Sequence, residues 1–200
     1  MREIELKAVV PDAGAARARL LAAGARCVFA GSLTDRLYDN AEEALANNDH
    51  VLRLRVRRPA AGQGGPGASL DWKGPTAREG GYKEREELSV AVADGDAMDA
   101  VVRALGYSVT MEIDREIELF EIAGAVVRIE RYPRLDVLIE VEGEPGAIEH
   151  AINTVGIPRA AFSANRLADF VSDYERRTGE RAAISLRELA GDYRFQRSRV

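Results

Sequence analysis

Arg2-Glu3-Ile4-Glu5-Leu6-Lys7-Ala8-Val9 opens the chain with a charged residue at every second position from Glu3 to Lys7. Side chains of a strand alternate faces, so Glu3, Glu5 and Lys7 share one face and Ile4, Leu6 and Ala8 the other. Two carboxylates about 7 Å apart along a strand can hold a hard divalent cation, and a lysine beside them can hold the anion that such a cation bridges. The same pattern suits the solvated face of an edge strand, and on its own this segment leaves both readings open.

The pattern recurs further along. Pro11-Asp12 starts a helix with Asp12 as its N-cap, Ala15, Ala16, Leu20 and Leu21 on its apolar side, and a stop at Gly24. A second such unit runs from Glu87-Leu88-Ser89-Val90-Ala91-Val92 through Asp94 into a helix closed by Leu105-Gly106, and Glu5 to Gly24 spans the same 19 residues as Glu87 to Gly106. A third runs from Val137-Leu138-Ile139-Glu140-Val141-Glu142 through Pro145 into a helix that reaches Gly156. Residues 25–39 read as extended. Val51 to Arg57 alternates strictly, with Arg53, Arg55 and Arg57 on one face, and in Ser69 to Lys73 Leu70 and Trp72 oppose Asp71 and Lys73. Lys83 and Arg85 share a face with Glu87, opposite Leu88, Val90 and Val92.

Two further strands are expected near 111–120 and 125–131. In the first, Arg115 shares a face with Ile113 and Ile117 while Glu112, Glu116 and Glu118 take the other; in the second, Arg128 and Glu130 oppose Val127 and Ile129. Residues 59–68, rich in glycine, read as a hairpin connection and lack the Lys-Ser/Thr ending of a phosphate loop. A helix is expected over 160–178, with Phe162, Leu167, Phe170, Val171 and Tyr174 as its apolar side, and a shorter one around Ser185 to Glu188. The tail from Tyr193 to Val200 is basic. We therefore divide the chain into a domain over 1–178 and a helical or flexible extension over 179–200.

Composition narrows the chemistry. With 200 residues and 46% hydrophobic content the chain can bury a sizeable core. Cys27 has no partner for an internal disulfide, and His50 and His150 are too few for a zinc cluster, so any bound metal is expected to be oxygen-ligated. A net charge of −5 argues against general nucleic-acid binding. No apolar run approaches the ~20 residues of a membrane span, and the charged opening is unlike a signal peptide, so no membrane association and a cytoplasmic location are expected. A homodimer is left open.

Counting gives about eight strands, nearly all antiparallel, most with charge on one face and aliphatics on the other. The charged face holds Glu3, Glu5, Glu87, Glu130, Glu140 and Glu142 beside Lys7, Arg53, Arg55, Lys73, Arg85 and Arg115. A closed barrel can enclose such a set only if anions and metal ions neutralise it, because isolated interior charge is costly.

The motifs resemble, in order, those of the CYTH proteins, the triphosphate tunnel enzymes: Glu3-Ile4-Glu5-Leu6-Lys7, Leu37-Tyr38-Asp39-Asn40, Leu52-Arg53-Leu54-Arg55, Trp72-Lys73-Gly74-Pro75, Arg85-Glu86-Glu87, Arg115, and Glu130 ten residues before Glu140. Three positions depart from that family's usual pattern: Ile113 where a basic residue is common, Glu130 where Asp is common, and Ser163-Ala164 in place of a Ser-Tyr pair.

The resemblance implies an α+β fold, an eight-stranded antiparallel β-barrel forming a tunnel with helices packed outside. It implies a triphosphate-containing small molecule held by Lys7, Arg53, Arg55, Lys73, Arg85 and Arg115, and Mg²⁺ or Mn²⁺ held by Glu3, Glu5 and Glu140 with Glu142 and Glu130 as neighbours. Lys7, Arg53, Arg115 and Glu140 would be the catalytic set. The activity expected first is metal-dependent hydrolysis of a triphosphate, with inorganic tripolyphosphate cleaved at least as fast as ATP. A class IV adenylyl cyclase, giving cyclic AMP and pyrophosphate, is the alternative, and a non-catalytic polyphosphate- or nucleotide-binding module is the second.

Overall fold

The structure, a computed structural model, describes residues 2–60 and 67–195. Its strands are β1 (Arg2–Val9), β2 (Arg26–Asp39), β3 (Val51–Pro59), β4 (Gly67–Lys73), β5 (Ala77–Glu79), β6 (Tyr82–Val92), β7 (Ser108–Ile122), β8 (Ala125–Arg131) and β9 (Leu138–Glu142). The helices are α1 (Ala13–Ala22), α2 (Ala44–Asn47), α3 (Gly95–Ala104), α4 (Pro145–Val155), α5 (Leu167–Thr178) and α6 (Leu186–Leu189), with a 3-10 turn at Arg159–Ala161.

Hydrogen-bonded neighbours run β1-β9-β8-β7-β2-β3-β4-β6, and β6 returns to β1, so eight strands close into an antiparallel barrel with short β5 added beside β6. The strand β6 makes the closure by dividing its length: Lys83 to Glu86 pair with β1, and Glu87 to Val92 pair with β4. The glycine-rich connection expected over 59–68 lies mostly at 61–66, outside the described residues.

Helix starts follow the expected chemistry. The Asp12 carboxylate accepts from Ala15 N, the Asp94 carboxylate accepts from Asp96 N and Ala97 N, and Pro145 occupies the first turn of α4. At the end of α4, Gly156 has φ +71°, and a Cβ there would run into the Arg19 guanidinium, which donates to the Val155 and Gly156 carbonyls.

The strand parity read from the sequence separates lumen from exterior. Ile4, Leu6, Ala8 and Ile139 face outward into a core closed by Leu20 of α1 and Ile148 and Ile152 of α4. On another side Leu54 and Tyr38 pack under Val102 of α3. Parity in β7 resolves the same way, since Glu118 pairs outside with Arg17 of α1 while Ile113 and Arg115 line the lumen.

Helices do not cover the whole aliphatic exterior. Leu88 and Val90 are 56% and 57% exposed on β6, because α3 packs against β3 and β4 instead.

The expected helix over 160–178 starts later, at Leu167, and Phe162 belongs to the core under α1 and α4. Pro158 and the 3-10 turn carry the chain past Lys7, whose backbone exchanges hydrogen bonds with Ser163 at 2.9 and 2.8 Å, and that extended pairing excludes helix there. Phe170 and Val171 of α5, with Ala182 and Ile184, pack on Ile113, Tyr132 and Leu138 and close off one side of the lumen. The short α6 is capped by Ser185, whose hydroxyl accepts from Glu188 N at 3.2 Å.

Candidate active site in the barrel lumen

The lumen holds a cavity of about 250 Å³, lined among the described residues by nine basic and six acidic side chains, a surplus of three positive charges inside a chain of net −5. It brings together Glu3, Glu5, Lys7, Arg53, Arg55, Lys73, Arg85, Arg115, Glu130 and Glu140. Glu142 is not part of the lining; it stands two residues beyond Glu140 on the same strand face, 28% exposed, and accepts from Arg128 at 3.0 Å.

Each candidate metal ligand is matched with an ammonium or guanidinium group. Glu3 accepts from Lys73 at 2.6 Å, Glu5 from Lys83 at 2.5 Å and from Lys7 at 3.3 Å, and Glu140 from both Lys7 and Arg128. Register explains the pairing across β1 and β9, where Lys7 lies directly opposite Glu140 and Glu5 opposite Glu142.

These contacts set the charge states. Burial pushes the Glu140 carboxyl up, but Lys7 and Arg128 overcome it and hold the group well below the usual carboxylate range. Burial likewise opposes the charge on Lys7, and Glu140, Glu5 and Glu130 outweigh it, raising the ammonium above its ordinary value. At Lys83 burial prevails over Glu5 and the pKa falls.

The arginines form a second network. Arg53 donates to Asp71 at 3.0 and 2.8 Å and approaches Glu87 at 3.4 Å. Arg85 donates to the Gly74 carbonyl at 2.6 Å and also to the Asp49 carbonyl. Arg115 donates to Asp35 and, at 3.2 Å, to the Tyr132 hydroxyl, which donates in turn to Glu130 at 2.7 Å. Among the described residues Arg115 Nε is buried without a hydrogen-bond partner, a donor an anionic ligand would satisfy.

Sequence reasoning did not include Asp35, Asp49, Lys83, Arg128, Tyr132 or Arg166, all of which line the cavity. Strand parity was a usable signal for three of them. Lys83 shares a face with Arg85, Arg128 shares one with Glu130, and Asp35 is an acid between Leu33 and Leu37 on a single face. Asp49 and Arg166 come from connections with no periodicity to read, and they meet each other at 3.2 Å.

The donor set suits a hard divalent cation: Glu3, Glu5, Glu130 and Glu140 are buried carboxylates on neighbouring strands, with no thiol or imidazole among the lining residues. Among the described residues no three acidic, histidine or cysteine side chains stand grouped as a ready cage, because lysines and arginines intervene.

Fold and site together define a closed-barrel tunnel protein with a charged lumen. The CYTH domain family model matches residues 1–155, and the chain belongs to that family. Its members are enzymes, triphosphatases or cyclases, that bind triphosphate substrates and generally depend on a divalent metal. Comparison with curated protein sequences gave no match.

Similar solved structures include a Vibrio parahaemolyticus protein described provisionally as an adenylate cyclase, 16% identical, TM-score 0.71, covering 85% of this chain and 97% of that one. The PH1819 protein of Pyrococcus horikoshii is 20% identical with a TM-score of 0.67, covering 86% and 98%. A Hippeastrum protein, provisionally an adenylyl cyclase and described as having a dominant triphosphatase activity, is 17% identical with a TM-score of 0.52, covering 89% and 96%. At these identities the likeness is one of fold.

No helix among the described residues is long and apolar enough to cross a membrane.

Proposed function

We propose that the chain is a metal-dependent hydrolase of triphosphate-containing substrates, inorganic or organic. The observation that carries this reading is the lumen itself, a cavity with surplus positive charge, a buried arginine Nε without an acceptor, and oxygen ligands suited to Mg²⁺ or Mn²⁺ on one wall. Glu3, Glu5 and Glu140 would hold the metal, with Glu130 and Glu142 beside them. The ion would supply neutralisation of charge building up on phosphoryl oxygens.

The chain's own residues do the rest. Lys7, Lys73 and Lys83, now bound to glutamates, can turn to phosphate oxygens once those carboxylates take another partner, so their ion pairs are exchanged rather than broken outright. Lys7, Arg53 and Arg115 would hold the phosphate chain for in-line attack by water and spread the charge of the transition state. Arg55, Arg85 and Arg128 fix the walls around it.

Cyclisation of ATP is a second reading, favoured by one observation. Leu37, Met111, Ile113 and Leu167 line the same cavity and offer an apolar seat for an organic group.

The test is a product assay with tripolyphosphate, ATP and thiamine triphosphate, each with Mg²⁺ or Mn²⁺. Orthophosphate from tripolyphosphate at a rate matching or exceeding that from ATP supports hydrolysis. Cyclic AMP with pyrophosphate from ATP, and tripolyphosphate acting only as an inhibitor, would select the cyclase. Binding of all three without turnover would leave a binding module and remove the enzyme reading.

A further inference from the structure

The arginines of the lumen are not equally available to a ligand. Arg55 commits a full edge of its guanidinium to Asp35, Nε to Oδ1 and Nη2 to Oδ2, each at 2.8 Å. Arg115 donates Nη2 to that same Oδ2 at 2.5 Å, and Nη1 of Arg53 stands 3.8 Å from it. One carboxylate, 1% exposed, therefore serves three guanidinium groups from neighbouring strands. Register brings them there: Asp35 lies directly across from Arg55 on β3 and from Ile113 on β7, so that Arg115, two residues along β7, reaches it diagonally.

Three guanidinium groups this close repel one another, and in a desolvated lumen the repulsion is strong. Burial pushes the Asp35 carboxyl up, but Arg55, Arg115 and Arg53 pull it far below the usual range, so it is a permanent anion at neutral pH. A phosphate entering the lumen must compete with a carboxylate that already holds the best-aligned donors. Left over are donors that Asp35 does not take, such as Arg115 Nε.

On the reading of the cavity as a triphosphate site, we infer that Asp35 is a positioning residue that locks Arg53, Arg55 and Arg115 into one unit and, as a built-in anion, withholds them from simple anions. Removing its charge makes the lumen more attractive to any anion while loosening the geometry on which turnover depends, so affinity and rate move in opposite directions. A residue that served only stability would lower both together or neither.

The experiment uses the full chain with Asp35→Asn and Asp35→Glu, measuring metal-free tripolyphosphate binding by calorimetry and kcat with metal. Asp35→Asn is expected to bind tripolyphosphate at least about tenfold tighter and to turn over at least about tenfold more slowly. Asp35→Glu, which keeps the charge but shifts it by a methylene, is expected to hold the wild-type affinity within about threefold and to lose kcat. A folded Asp35→Asn protein whose affinity and kcat are both unchanged, or fall in parallel, overturns the inference. Should that variant fail to fold, Asp35→Glu decides, and a parallel loss of affinity and kcat overturns it equally. A wild-type chain that binds no tripolyphosphate either with Mg²⁺ or Mn²⁺ or without it sinks the triphosphate reading and this inference with it, whereas wild-type binding with parallel losses in the variants sinks this inference alone.

Discussion

Glu140 shows how much a single lumen residue must do. Its carboxylate takes both Lys7 and Arg128, and it lies on the wall that would carry the metal. Glu140→Gln is expected to cost at least about 10²-fold in turnover, through the lost hard ligand. From strand parity alone the substitution looks harmless to the fold, since the residue sits on the polar face. Burial changes that expectation: Lys7 would keep only Glu5 at 3.3 Å and Arg128 only Glu142 at 3.0 Å, and the loss of the charge shared between them is expected to cost up to about 3 to 5 kcal/mol. Parallel urea melts and rate measurements on the variant check both figures. Glu142→Gln, on a partly exposed group bonded to Arg128 at 3.0 Å, should cost distinctly less stability.

The same contacts fix how stability depends on pH. Asp35 and Glu140 have folded pKa values depressed below their unfolded values, so their contribution is complete above the ordinary carboxylate range and is lost as pH falls through and below it. Lys7 has a raised folded pKa, and its contribution is complete below the ordinary lysine value and is lost only as pH rises beyond it. These three groups thus predict a flat plateau in urea midpoint from about pH 6 to 9, with a steep loss on the acid side. A midpoint that rose as the solution was acidified from pH 6 to 3 would contradict the pairing.

At the scale of elements, α5 and the segment after it are built into the barrel. Ala182, Ala183 and Ile184 are buried, Asp114 N donates to the Ile184 carbonyl at 2.8 Å, and Arg134 and Ala183 exchange backbone hydrogen bonds at 2.9 and 2.8 Å. Ile184→Ala is therefore expected to cost about 2 to 4 kcal/mol in equilibrium unfolding, the range for a buried large-to-small change. By contrast Asp94→Ala removes only an exposed helix cap and should cost about 1 kcal/mol. A negligible effect at Ile184 would mean that residues after α5 contribute little to the stability of the barrel and would favour the division of the chain at 178.

Over the whole molecule, the sequence made the periodic elements readable. Alternation in β1, β3, β4 and β9 assigned the lumen face, because a strand has only two faces and the aliphatic one had to be covered. It could not show which strand lies beside which. Asp35 was therefore missed even though its parity was plain, since its meaning comes from Arg55 and Arg115 on the strands to either side. The start of α5 was misplaced for a related reason: the pairing of Ser163 with Lys7 joins residues far apart in the chain, and no local periodicity records it.

The closing of the barrel by β6 onto β1 has a consequence for how the chain is made. One edge of β1 is covered by β6 and the other by β9, so β1, made before either partner, must wait for residues 138–142 before both its edges are paired. Until then it is an unsatisfied template for other chains, held off by the mixed charges of Glu3, Glu5 and Lys7 along one face. Assembly that depends on such distant partners is slow, because loop closure precedes the contacts that reward it. In pulse-labelled hydrogen exchange during refolding, the amides of β1 are expected to gain protection after those of the β2–β3 pair, whose strands are joined by residues 40–50 alone.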